Sequence, residues 1–155
     1  MRNSNRQRIL FGIAVAILCI MPAGRASATD LGVHMGYYFD AEAISMGFGT
    51  LTSVSDSYPS WYFNPNAELI VGDRDMAAFN FDFHYDFMAN DDLTFWAGAG
   101  PGLYLIDRPF DDDFEPGLNL LAGFGALTGK ARPFVQGKAI VMDDSEVSLA
   151  VGLRF

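Results

Sequence analysis

The sequence contains a single cysteine, Cys19, so no disulfide can form within the chain. Basic residues are scarce: ten against nineteen acidic ones, for a formal charge of −9. So acidic a chain repels phosphate backbones, which excludes nucleic acid as a partner. Beyond Met21 no apolar run approaches the ~20 residues that a membrane-crossing helix needs. Yet half of the 155 residues are hydrophobic, fourteen of them phenylalanine. That apolar material must be arranged some other way.

The first 28 residues stand apart. Arg2, Arg6 and Arg8 precede an apolar stretch from Ile9 to Met21, and Ala26, Ser27 and Ala28 supply small residues for cleavage. This is the pattern of a cleaved export signal, too short for a spanning helix. Cys19 follows Leu18 rather than a small residue, so it is read as packing within the apolar stretch and not as a lipoprotein site. Cleavage after Ala28 would leave one domain, residues 29–155, without cysteine. Four basic residues leave with the signal, so six face nineteen acidic ones and the formal charge becomes −13.

Within 29–155 the hydrophobicity alternates. From Ala77 to Phe87, Phe79, Phe81, Phe83, Tyr85 and Phe87 share one parity; Asn80, Asp82, His84 and Asp86 share the other. Successive strand side chains point to opposite faces, so one face is aromatic and the other polar. From Glu146 onward, Val147, Leu149, Val151, Leu153 and Phe155 oppose Ser148, Ala150, Gly152 and Arg154. Similar alternation appears at Leu31–Phe39, Ile44–Gly49, Asn66–Val71, Leu93–Gly100, Leu118–Gly125 and Val135–Val141, with Phe134 and Leu121 out of step. Turn-forming stretches separate these segments, among them 53–60, 72–75, 90–92, 129–130 and 143–145; residues 107–115 form an acidic one that predicts a solvated loop. Eight strands of ~10 residues fit within 127 residues, whereas ten leave too little for their connections.

One alternating strand suits a soluble sheet as well as a membrane barrel. Glycine favours the barrel. Gly32, Gly36, Gly47, Gly49, Gly98, Gly100, Gly123, Gly125 and Gly152 share the parity opposite the large apolar residues. On a solvent face they would only weaken strands. Inside an eight-stranded barrel they make room for large side chains, for which Trp96, Tyr38 and Tyr104 have the right parity. The charges follow: Glu68, Asp82, His84, Asp86, Lys138, Arg154 and His34 all take the inward parity. A Lys or Arg on the lipid face would cost roughly 2–4 kcal/mol at the midplane. Lys138 and Arg154 are therefore expected to join Glu68, Asp82 or Asp86 in an interior ionic network of structural value.

The stretches "FNFDFHYDF", "WAGAGPGLYL" and "GKARPFVQGKAIVMDDSEVSLAVGLRF" resemble the small outer-membrane β-barrel proteins of the OmpA/OmpX-like kind, over essentially all of 29–155. The resemblance implies a closed antiparallel barrel in a bacterial outer membrane. It also implies contact with outer-membrane lipid and lipopolysaccharide, and an assembly machinery that reads the terminal strand through Val151, Leu153 and Phe155. The long connection 53–60 departs from the short turns expected there. No catalytic residue and no cofactor carries over.

Other chemistry is thinner. Asp82, His84 and Asp86 lie ~7 Å apart along one face and could hold a metal, but an interior hydrogen-bonded network explains them as well. The acidic stretch 107–115 lacks the DxDxDG spacing of a calcium loop; the alternative to a solvated loop is a divalent bridge to lipopolysaccharide phosphates. The glycines at 98, 100 and 102 do not form a nucleotide loop. The expectation is a non-enzymatic outer-membrane protein with a structural or surface-interaction role, its interior plugged by side chains. The alternatives are a lipid A-modifying enzyme, a narrow pore and a soluble lipocalin-like barrel.

Overall fold

A computed structural model describes residues 29–54, 60–72, 75–88, 90–107 and 112–155. The export signal expected at 1–28 lies outside the described residues. Eight strands follow one another: β1 (Thr29–Tyr38), β2 (Ala43–Ser53), β3 (Trp61–Val71), β4 (Met76–Met88), β5 (Leu93–Asp107), β6 (Asp112–Ala126), β7 (Arg132–Val141) and β8 (Glu146–Arg154). Each pairs antiparallel with the next, and β1 pairs with β8 to close the barrel. Closure continues past β8: the N–H of Phe155 donates to the Leu31 carbonyl (2.8 Å), and the Leu31 N–H donates to the Phe155 carbonyl (3.2 Å). A closed sheet leaves no unpaired edge.

The alternation decides which side chains enter. Phe83 and Phe87 of β4 are exposed outward while Asn80, Asp82 and His84 are buried inward. Val147, Leu149, Val151, Leu153 and Phe155 all lie on the outer wall. The two out-of-step residues fill the interior: Leu121 is buried, and Phe134 packs edge-on against Trp96 at 6.1 Å. Glycine makes the room. A Cβ on Gly123 would lie 2.6 Å from the Trp96 ring, and one on Gly152 would lie 2.5 Å from the Phe134 ring.

Three strands run further than the pattern indicates. β3 begins at Trp61, ahead of the alternation seen from Asn66, and β5 continues past Gly100 to Asp107, so that Pro65 and Pro101 lie within strands. Each proline interrupts the ladder locally: pairing lapses between Gly49↔Asn66 and Thr52↔Phe63, and between Asn80↔Gly102 and Phe83↔Ala99. The expected loop at 107–115 is also corrected. β6 starts at Asp112, with Asp107 opposite Asp112 and Tyr104 opposite Glu115. Phe114 points outward and Glu115 is buried inward, so alternation persists through the acidic stretch and only 108–111 connect the strands. Asp111 lies outside the described residues.

Candidate functional site

The strands deliver a polar cluster to the barrel interior. Glu68 of β3 is its hub: it forms an ion pair with Lys138 of β7 and accepts hydrogen bonds from the Tyr38 hydroxyl (2.9 Å) and Asn80 Nδ2 (3.0 Å). His34 Nε2 lies 3.8 Å from its second oxygen. Both members of the Glu68–Lys138 pair are buried, and a buried pair is tolerable only when its remaining hydrogen-bonding capacity is met.

Asp82 is held differently. Its oxygens accept from Asn119 Nδ2 (2.8 Å) and Asn66 Nδ2 (3.2 Å). Three asparagines from β3, β4 and β6 continue the chain: Asn119 donates to Asn80 (2.8 Å) and Asn80 to Asn66 (2.9 Å), with the Tyr104 hydroxyl 2.6 Å from Asn119 Oδ1. The two carboxylates are thus joined through amides. Buried polar groups of this kind specify one arrangement only when each finds a partner.

Towards the end that carries connections 54–60, 89–92 and 127–131, His84 Nδ1 meets Asp86 Oδ1 at 2.8 Å, and the ring lies near Tyr62 and Trp96. Asp82 faces its asparagines, so Asp82, His84 and Asp86 do not converge on one point. Arg154 forms no ion pair with a carboxylate among the described residues, although the charges of Asp86 and Asp30 act on it. Its guanidinium lies over the rings of Trp96 (4.2 Å) and Phe134 (4.9 Å), while Trp96 Nε1 donates to Gln136 Oε1 (3.0 Å). A cavity of about 30 Å³ remains beside it, lined in part by His34, Glu68, Lys138 and Arg154.

At the opposite end the interior turns apolar. Tyr38, Ala43, Ile70, Met76, Ala78, Tyr104, Ile106 and Ile140 form a buried cluster across the lumen, with Ala41 from a connection. Sequence reasoning missed Ile70, Ile106 and Ile140 as a plug, and Asn66, Asn80, Asn119 and Gln136 as network members. All have inward parity, which was the available signal.

No protein-family model matches the chain, and comparison with curated proteins finds no relative. Solved structures do match in fold. The N-terminal β-barrel domain of OprF from Pseudomonas aeruginosa is 15% identical with a TM-score of 0.60, covering 82% of this chain and 96% of that one. Neisserial surface protein A is 14% identical with a TM-score of 0.55, covering 81% and 92%. A de novo designed transmembrane β-barrel reaches a TM-score of 0.61 at 14% identity, covering 85% and 97%. The chain has the fold of the small eight-stranded outer-membrane β-barrels.

Proposed function

We propose that this protein is a non-enzymatic barrel of a bacterial outer membrane whose role is structural. The observation that carries the reading is the filled lumen. An apolar plug crosses one end, and a hydrogen-bonded charged cluster occupies the middle. The outer wall supports the membrane placement: Val33, Met35, Met46, Phe83, Phe95, Phe124 and Val151 are all exposed, a surface suited to acyl chains and costly in water. The partners are then outer-membrane lipid and lipopolysaccharide, together with the assembly machinery engaged through Val151, Leu153 and Phe155.

The connections favour the structural role over surface interaction. Residues 39–42, 72–75, 108–111 and 142–145 join strands at one end, four residues each, and the longest connection anywhere is 54–60. Outer-membrane barrels usually carry longer loops on their extracellular side, which would offer more surface to a partner. The acidic stretch 107–115, being mostly strand, no longer offers a loop to bridge lipopolysaccharide.

The test is a gene deletion combined with reconstitution. Outer-membrane fractionation should place the chain in that membrane with heat-modifiable gel mobility. Planar bilayers should show no conductance steps, and lipid A mass spectra should be unchanged on deletion or in His34→Ala and His84→Ala variants. Conductance would replace the reading with a pore; altered lipid A would replace it with an enzyme.

A further inference from the structure

We infer that the interior cavity beside Arg154 is a binding site for a small inorganic anion of halide size. Arg154 is only 9% exposed. Its guanidinium carbon lies 4.2 Å from the Trp96 ring centre and 4.9 Å from that of Phe134, contacts that satisfy none of its N–H donors. Among the described residues no hydrogen bond or ion pair reaches those donors. The charges of Asp86 and Asp30 act on Arg154 without pairing with it: Asp86 Oδ1 lies 2.8 Å from His84 Nδ1, and Asp30 pairs with Arg132. A buried guanidinium packed against two rings with free donors is preorganised for an anion.

The cavity supplies the space. It measures about 30 Å³, and Gly32, Gly49 and Ala150 keep it open. That volume accommodates roughly two waters or one halide. Of the charged side chains that line it, Lys138 and Glu68 pair with each other and Arg154 has no ion-pair partner among the described residues. Ser45, whose buried Oγ has no partner among the described residues, lines the same cavity and offers a further donor. A halide there would accept from the Arg154 N–H groups without disturbing the Glu68 cluster.

The test uses the full chain folded in non-ionic detergent. Apparent Tm is measured in sodium chloride and in sodium gluconate at equal ionic strength, gluconate being too large for the cavity. Chloride at tenfold over its dissociation constant should raise Tm by about 3–6 °C over gluconate. In a Trp61→Phe background, which leaves Trp96 as the only tryptophan, bromide should quench fluorescence along a saturable curve. Arg154→Gln should lose both responses. Should that variant fail to fold, Ala150→Leu fills the cavity while keeping Arg154, and it too should lose both. Equal Tm in the two salts, quenching that rises linearly with bromide, or responses unchanged by Ala150→Leu would each overturn the inference and leave water as the occupant.

Discussion

The side chain of Asn64 donates from Nδ2 to the carbonyl of Thr50 on the neighbouring strand, at 3.1 Å. Trp61 turns its carbonyl towards β2, where the Val54 N–H donates to it (2.9 Å). Four residues further along the same strand, Pro65 therefore presents its ring nitrogen to β2 as well, and it has no proton to give. Asn64 stands in for the missing N–H. In a bilayer such a carbonyl has no water to turn to, which makes the substitute valuable.

Replacing Asn64 by Ala should therefore destabilise the barrel by about 1–3 kcal/mol. In a Pro65→Ala background, where the backbone N–H is restored, the same replacement should cost much less. Urea unfolding of the four proteins in lipid vesicles gives the coupling. Equal costs in both backgrounds would mean that the amide does not substitute for the ladder bond.

The Glu68–Lys138 pair gives a second prediction. Lys138→Met leaves a buried carboxylate without its cation and should cost about 3–5 kcal/mol. Tyr38 and Asn80 would still donate to Glu68, so the variant should fold at low denaturant. Adding Glu68→Gln should recover much of the loss, because no buried charge then remains at that point. A double variant as unstable as Lys138→Met alone would deny that charge burial is the cause.

Glycine spacing gives a third. A Cβ on Gly98 would fall on the carbonyl oxygen of Phe83 in the adjacent strand, whereas one on Gly32 meets nothing closer than 3.8 Å. Gly98→Ala should cost about 1–3 kcal/mol by forcing β4 and β5 apart. Gly32→Ala should stay within about 0.5 kcal/mol of the parent. Refolding yield and unfolding midpoints in detergent distinguish them, and similar effects at both sites would contradict the close approach of β4 and β5.

Phe155 gives a fourth, in cells. It lies on the outer wall and hydrogen-bonds with Leu31 through the backbone alone. Phe155→Ser should therefore lower the amount assembled in the outer membrane several-fold while leaving refolding into vesicles in vitro unchanged. Loss in both settings would make the ring a folding element and not an assembly signal.

Much of this architecture is legible in residue order because a barrel wall imposes a strict period of two. Asn80, Asp82 and His84 against Phe79, Phe81 and Phe83 declare both faces of β4 without further information. The alternation is less clear beside Pro65 and Pro101, which lie within β3 and β5 and interrupt the ladder only locally. The acidic run misleads: in water Glu115 would mark a loop, yet strand pairing carries it into the interior. The placement of Arg154 is hidden for a different reason. Parity says that its side chain points inward, but whether it meets a carboxylate or an aromatic ring depends on the stagger between strands and on side-chain packing.

The two tryptophans offer the most direct test of which face meets lipid. Trp61 lies on the outer wall, exposed, and Trp96 is buried in the lumen at 2% exposure. Single-tryptophan variants, Trp96→Phe and Trp61→Phe, would be refolded into vesicles of lipids brominated on the upper acyl chain. Trp61 fluorescence should be strongly quenched and that of Trp96 left nearly unchanged. Quenching of Trp96 equal to that of Trp61, or a chain that stays monodisperse in detergent-free buffer with both tryptophans unquenched, would contradict a barrel with its apolar wall in the membrane.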